Sequence, residues 1–364
     1  MNNINYVFLA AMAGLFPTSS HAEISARTEA HATRSLATGV GVDVLPTFER
    51  KTTDMEPATK AVLARICRRS CGTVARQKLD GGIRYRGPGW RLDVHEDGTA
   101  AEFTDELAQQ RARELGVAPE AKLSLDEVEV LGRRYIAEHL APVIALQPGE
   151  TLVARRVAYR TEGGVDRNGT RAPDLITGQR VLFTREIGGR PVLGPGSKVT
   201  ITFLSDGSVE SFRYDWSTFV PTGTTQRMLG ATEILQRVQR VTTRRMAGTS
   251  SGPLPAIASA SRTTPLELGN GVELQRLECG YYDPGVGARG KTFVLQAGCY
   301  YHAVHRLPDD PSMIAGLAGA VPAAVQPVPD EAWIEERALR GAEVGGLPAP
   351  GGAPGSATPS KTAR

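Results

Sequence analysis

The sequence predicts an α+β protein in which helices pack on one side of antiparallel sheets, a helix-plus-strands theme repeated two or three times and pinned by disulfides. Three observations carry this expectation. Asp97-Gly98 and Asp206-Gly207 each sit between two alternating runs, the signature of a hairpin whose turn needs positive φ. Amphipathic helical segments recur ahead of strand-rich stretches. Four cysteines follow an apolar N-terminal leader, and an exported compartment is where disulfides persist. With 364 residues, 41% hydrophobic and 22% charged, the chain can bury one sizeable core or two or three smaller ones.

The leader, MNNINYVFLAAMAGLFPTSSHA, has an apolar run from Tyr6 to Phe16, then Pro17 and a polar stretch ending in Ser20-His21-Ala22. It reads as a secretory signal peptide cleaved near Ala22, although its n-region lacks Lys and Arg. The mature protein is therefore expected to be exported, periplasmic or extracellular. No later stretch is apolar for long enough to form a transmembrane helix. Residues 23–55 are polar and mixed, an arm or linker with room for one short strand.

A first helix-hairpin unit is expected over residues 56–123. Its helix, PATKAVLARICRR, carries Val62, Leu63, Ile66 and Cys67 on one face, and its hairpin is WRLDVHEDGTAAEF. A central unit follows over 124–228. It opens on the capping box Ser124-Leu-Asp-Glu127, with Val128, Leu131, Tyr135 and Ile136 facing inward. The second Asp-Gly turn fixes a testable register in this unit. With Ser205 opposite Ser208, Val199, Ile201 and Phe203 fall opposite Tyr214, Phe212 and Glu210, while Thr200 meets Arg213 and Lys198 meets Asp215. Aligned on the two turns, Trp90, Leu92, Val94 and Phe103 take the places of Val199, Ile201, Phe203 and Phe212, which suggests an internal repeat.

A third helix-strand unit spans 229–308, with Ile234, Leu235, Val238 and Val241 on the buried face of its helix. Arg237, Arg240, Arg244 and Arg245 lie beside that face and read as a solvated surface. Residues 309–340 form an extended segment and a short helix near Trp333, and 341–364 a disordered tail.

Four cysteines allow three pairings. Cys67 and Cys71 lie one helical turn apart, with Gly72 able to end the helix. Cys279 and Cys299 share the parity of apolar neighbours in two strand-like runs, so the expected bond is Cys279–Cys299. The spacing of the four does not suit a metal, and no metal or other cofactor is expected. The net charge of +3 gives no basic field of the kind that nucleic acid requires.

Catalytic look-alikes fail on context, so no catalytic residue is assigned. Gly248-Thr-Ser-Ser-Gly252 lies in a loop after a helix, not at a strand-to-helix turn. Gly285-Val-Gly-Ala-Arg-Gly290 lies between two strands with no helix to receive a pyrophosphate. His302 and His305 would point to opposite faces of one strand.

At Gly189-Arg-Pro191-Val192-Leu-Gly194, followed by the VTITF strand and the Asp206-Gly207 turn, the chain resembles the FTP and PepSY-type propeptide modules of secreted metallopeptidases. The similarity spans residues 124–220 and implies a cystatin-like or PepSY-like sheet packed on a helix. In that family such modules assist folding of a neighbouring peptidase and block its cleft. Two departures stand out: no catalytic domain follows, and a Gly194-Pro195-Gly196 insertion is present. The resemblance therefore implies a stand-alone, non-catalytic module that binds a protein partner such as an exported peptidase. Pro191, Val192, Gly194, Pro195, Gly196 and Trp216 are the expected contact residues, with the Gly-Pro-Gly loop exposed. The rival expectations are an exported enzyme using His302 or His305 with nearby carboxylates, and an envelope protein tethered by its Pro/Gly tail.

Overall fold

The computed structural model describes residues 37–38, 44–51, 56–67, 72–114, 123–162, 175–248, 266–269, 272–286, 293–307 and 310–325. The expected leader to Ala22, Cys71, the short helix near Trp333 and the tail from Gly341 lie outside them. The elements follow as β1 (Ala37–Thr38), β2 (Val44–Lys51), α1 (Glu56–Ile66), β3 (Ala75–Leu79), β4 (Gly82–Gly87), β5 (Trp90–His95), β6 (Ala100–Asp105), α2 (Ala108–Glu114), α3 (Leu125–Tyr135), β7 (Glu150–Glu162), β8 (Leu175–Ile187), β9 (Arg190–Leu193), β10 (Lys198–Phe203), β11 (Val209–Asp215), β12 (Thr218–Arg227), α4 (Ala231–Gly248), β13 (Leu266–Gly269), β14 (Val272–Tyr282), β15 (Gln296–Leu307) and β16 (Asp310–Pro322).

The fold is α+β and mostly sheet. Fourteen strands join in one sheet, in the order β16-β15-β14-β9-β8-β10-β11-β6-β5-β4-β3 with β1, β7 and β13 attached at its sides, while β2 and β12 pair separately. A helix followed by four antiparallel strands occurs three times: α1 with β3 to β6, α3 with β7, β8, β10 and β11, and α4 with β13 to β16. The fourth strand of the third unit, β16, falls in the segment expected to be merely extended, and the expected polar arm contains β2.

Local chemistry explains where α3 starts and which face it buries. Ser124 Oγ accepts the Glu127 N–H at 3.2 Å, and the Glu127 carboxylate accepts the Ser124 N–H at 2.7 Å, so each satisfies a donor that the first turn leaves free. The helix continues as a π-helical turn over Ile136–Leu140. Val128, Leu131, Tyr135, Ile136 and Leu140 pack with α1 residues Val62, Leu63 and Ile66 on one face of the eight strands of the first two units. Gly132 permits the approach, because a Cβ there would stand 2.7 Å from the Phe183 ring.

The first two units meet strand to strand. β6 pairs with β11 so that Phe103 lies opposite Phe212, with ring centroids 5.2 Å apart. Leu92 then lies opposite Phe103, and Ile201 opposite Phe212, on the outer sides of that pair. The pairings Val199–Tyr214, Ile201–Phe212, Thr200–Arg213 and Lys198–Asp215 agree with the register that the turn dictates. One pairing is corrected: a bulge between Thr202 and Phe203 sets Phe203 opposite Val209 rather than Glu210. The physical reason lies in Glu210, whose buried carboxylate is held by Arg160 at 2.6 Å and Gln109 at 2.8 Å instead of facing an aromatic ring.

The third unit has its own core, in which Ile234, Val238 and Val241 of α4 meet Leu274, Leu277, Tyr281 and Tyr301. The Cys279–Cys299 disulfide joins directly opposed residues of β14 and β15 within it. Cys67 is also disulfide-bonded, and among the described residues no cysteine is free.

Candidate functional site

Pro191, Val192, Gly194, Pro195 and Gly196 lie at a joint between the second and third units, while Trp216 belongs to the core of the first two. β9, the strand of the Gly-x-Pro-Val-x-Gly sequence, pairs antiparallel with β8 and parallel with β14, and so stitches the two halves of the sheet. Pro191 and Val192 are buried in it. Trp216 is buried beneath the Arg185 guanidinium, which lies 3.9 Å from its ring centroid. Gly194 is half-buried against the Asp283 carbonyl, and a Cβ on Gly196 would stand 2.3 Å from the Asp283 carboxylate. The Gly-Pro-Gly loop is thus exposed at Pro195 alone, because its glycines let Asp283 press onto the backbone.

Asp283 is the hub of this joint. Its carboxylate accepts the Ser197 hydroxyl at 2.7 Å and the Gly285 N–H at 3.0 Å, and its backbone exchanges bonds with Leu193 and Gly196. Burial raises its pKa, against the pull of those two donors and of the Arg185 and Lys198 charges. Burial likewise pushes Arg185 down to about 10, with Glu150 and Asp283 opposing. It pushes Lys198 down to about 8, with Asp283 opposing and Arg213 adding to the fall. Arg185 donates to the Ser217 carbonyl at 2.8 Å and meets Glu150 at 3.3 Å. A serine beside a carboxylate resembles nucleophile and base, yet Ser197 and Asp283 are each 0% exposed, so no substrate atom reaches them. Their bonding is internal.

Sequence reasoning did not select Asp283, Arg185, Ser197 or Lys198. One signal was present for Arg185, which shares the inward parity of Val181 and Phe183 in VLFTREI. A charge on an apolar parity marks a buried ion in search of a partner. Asp283 carried no comparable signal, since an Asp-Pro-Gly stretch reads as an ordinary turn.

His302 and His305 do not converge. His302 is half-buried opposite Arg276 and Ala318, and burial together with the Arg276 charge lowers its pKa. His305 is buried opposite Val272. Nearby Glu278 is engaged by Arg155 at 3.0 Å and Arg276 at 2.7 Å. Among the described residues no group of three or more His, Cys, Asp or Glu side chains could hold a metal ion.

No protein-family model matches this chain, and no curated protein matches it. The chain is similar to the crystal structure of an uncharacterized protein from Eubacterium rectale, at 11% identity and a TM-score of 0.43, over 81% of this chain and 90% of that one. No helix among the described residues is long and apolar enough to cross a membrane.

The second region of interest is the face of the eight-stranded half opposite α1 and α3. The strand registers set its side chains in straight rows. One row runs Arg84, Asp93, Glu102, Arg213, Thr200, Leu182 and Arg156 across seven strands, and every member is half-buried or exposed. The adjacent row runs Arg91, Thr104, Ser211, Thr202, Arg180 and Ala158. Arg84 grips Asp93 at 2.6 and 2.9 Å, a bidentate geometry. This face is polar, flat in register and chemically unlike the core face beneath it.

Proposed function

We propose that this protein is an exported, non-catalytic binding protein that engages a protein partner, an exported peptidase, in the manner of the propeptide modules it resembles. The observation that carries this reading is the polar face of the eight-stranded half. Its apolar counterpart is filled by two helices, while the row from Arg84 to Arg156 stays half-buried or exposed across seven strands. A broad sheet surface of this kind suits recognition of another protein. The groups with chemical potential, Ser197, Asp283 and Arg185, are buried and committed to one another or to backbone. The repeated unit of one helix and four antiparallel strands agrees with a cystatin-like or PepSY-like module used more than once. The disulfide suits an oxidising compartment outside the cytosol.

The test is a crosslinking pull-down with the mature chain from Glu23 onward and the exported proteins of its own organism. Enrichment of a peptidase whose activity falls as the protein is titrated in is the expected result. Enrichment of nothing beyond background would end the binding reading.

A further inference from the structure

The charges on the polar face are unevenly balanced, and the imbalance is local. At the β4–β6 end, Arg84 is paired with Asp93, and Arg86 and Arg91 share Glu106. In the middle, Arg213 stands opposite Glu102. At the β7–β8 end, Arg160 reaches across Gly178, its guanidinium carbon 3.5 Å from where a Cβ would be, to grip Glu210 with both terminal nitrogens. Two cations are left over. Arg156 and Arg180 are exposed, and among the described residues neither has an ion-pair or hydrogen-bond partner.

Their surroundings form a floor. Arg180 stands on β8 between Ala158 of β7 and Thr202 of β10, both small and both buried. Arg156 and Arg160 flank Ala158 two positions to either side on the same face of β7. Arg156 and Arg180 stand diagonally on adjacent strands, about 7–8 Å apart and within reach of such long side chains, so both guanidinium groups can close on one carboxylate. The electrostatics agree: burial by its neighbours and then the charges of Arg160 and Arg156 lower the Arg180 pKa, against Glu210 and Glu102. An incoming anion relieves that repulsion.

We infer that Arg156 and Arg180 form an anion-binding spot that docks an acidic, Asp/Glu-bearing segment of the partner protein across β7, β8 and β10. This deepens the binding reading above and rests on it. The half-buried hydroxyl of Thr200 lies in the same row as Arg156, where a backbone carbonyl of an extended segment would accept from it. A peptide is favoured over a phosphate-bearing polymer because the paired acids of Asp93, Glu102 and Glu210 share the face. A polymer charged at every unit would run into them, whereas a peptide places its acids selectively.

The test uses the full mature chain and a fluorescein-labelled oligo-glutamate peptide, read by anisotropy at low and high salt. Wild-type protein should bind saturably, with affinity falling as salt rises. R156E/R180E should bind at least about tenfold more weakly. R76E/K78E, which makes the same change in net charge on the exposed edge strand β3, should bind as wild type. Equal loss in both double variants would reduce the effect to net charge and overturn the site, as would binding of inorganic polyphosphate without binding of oligo-glutamate. If R156E/R180E melts early, R156Q/R180Q serves in its place, since it removes the cations without adding acids. The pull-down separates the two levels of the argument. A partner captured equally by wild type and by R156E/R180E overturns the anion spot and leaves the binding function standing. A partner captured by neither removes the binding function, and the peptide titration then decides the anion spot by itself.

Discussion

The two Asp-Gly hairpins are built alike and used differently. In each turn the aspartate accepts both the N–H and the hydroxyl of the residue two positions on: Thr99 at 3.0 and 2.8 Å for Asp97, Ser208 at 2.9 and 2.6 Å for Asp206. The glycine N–H closes each turn, onto His95 O at 2.8 Å and Leu204 O at 2.9 Å. There the likeness stops. Asp206 is exposed, whereas Asp97 also meets Arg50 of β2 at 2.5 Å and the His95 ring at 3.0 Å. The corresponding residue before the second turn, Leu204, is buried in place of that histidine. The same local chemistry thus makes a surface turn in one case, and in the other a polar pin that fixes the separate β2–β12 ribbon to the main sheet. Sequence sets the turn; its neighbours set its energetic weight.

The largest effects are expected where the two hairpins meet. Phe103→Ala and Phe212→Ala should each cost about 3–5 kcal/mol, measured by denaturant unfolding. The two costs should be similar, because the rings face each other across β6 and β11. A small effect of either would mean that the hairpins are stabilised separately. Next comes the third unit, where a disulfide joins strands that no tight turn connects. C279S/C299S should lose about 3 kcal/mol, with the transition midpoint as the readout.

Asp97→Asn should cost about 2–3 kcal/mol, since it takes a carboxylate away from the buried Arg50 guanidinium and weakens the turn bonds from Thr99. Asp206→Asn should stay within about 1 kcal/mol. Equal costs would show that the turn alone matters. The pH dependence sharpens the same contrast. Burial opposes ionisation of Asp97, but bonds from His95 and Thr99 and the Arg50 charge outweigh it and hold its pKa below the ordinary 3.8. A carboxylate depressed in the folded state contributes fully above its unfolded pKa and loses that contribution as pH falls through the folded one. The stability gap between wild type and Asp97→Asn should therefore hold from neutral pH down to about 4 and close below it.

The smallest expected effect is on stability at the anion spot. R156Q/R180Q should leave the melting temperature almost unchanged, because both guanidinium groups are exposed and without a partner among the described residues. A large drop would show that they hold the sheet rather than await a ligand.

Much of the architecture is legible in the sequence. The capping box at Ser124, the inward faces of α1, α3 and α4, the hairpin register and the Cys279–Cys299 pair all depend on interactions within a few residues or on side-chain parity. What the sequence could not supply was how the units join. Pro191 and Val192 look like surface residues of a single module, and they are buried because the third unit pairs with β9 and Asp283 closes on it, whereas Trp216 is buried in the core of the first two units. The same holds for the polar face. Alternation shows that Arg156 and Arg160 share one side of their strand, but only the assembled sheet shows that Arg180 joins them and that Glu210 pairs with Arg160 alone of the three. Periodicity is a property of neighbouring residues and can be read along a line. The pairing of charges and the closing of a joint depend on which strands lie side by side, and tertiary structure alone decides that.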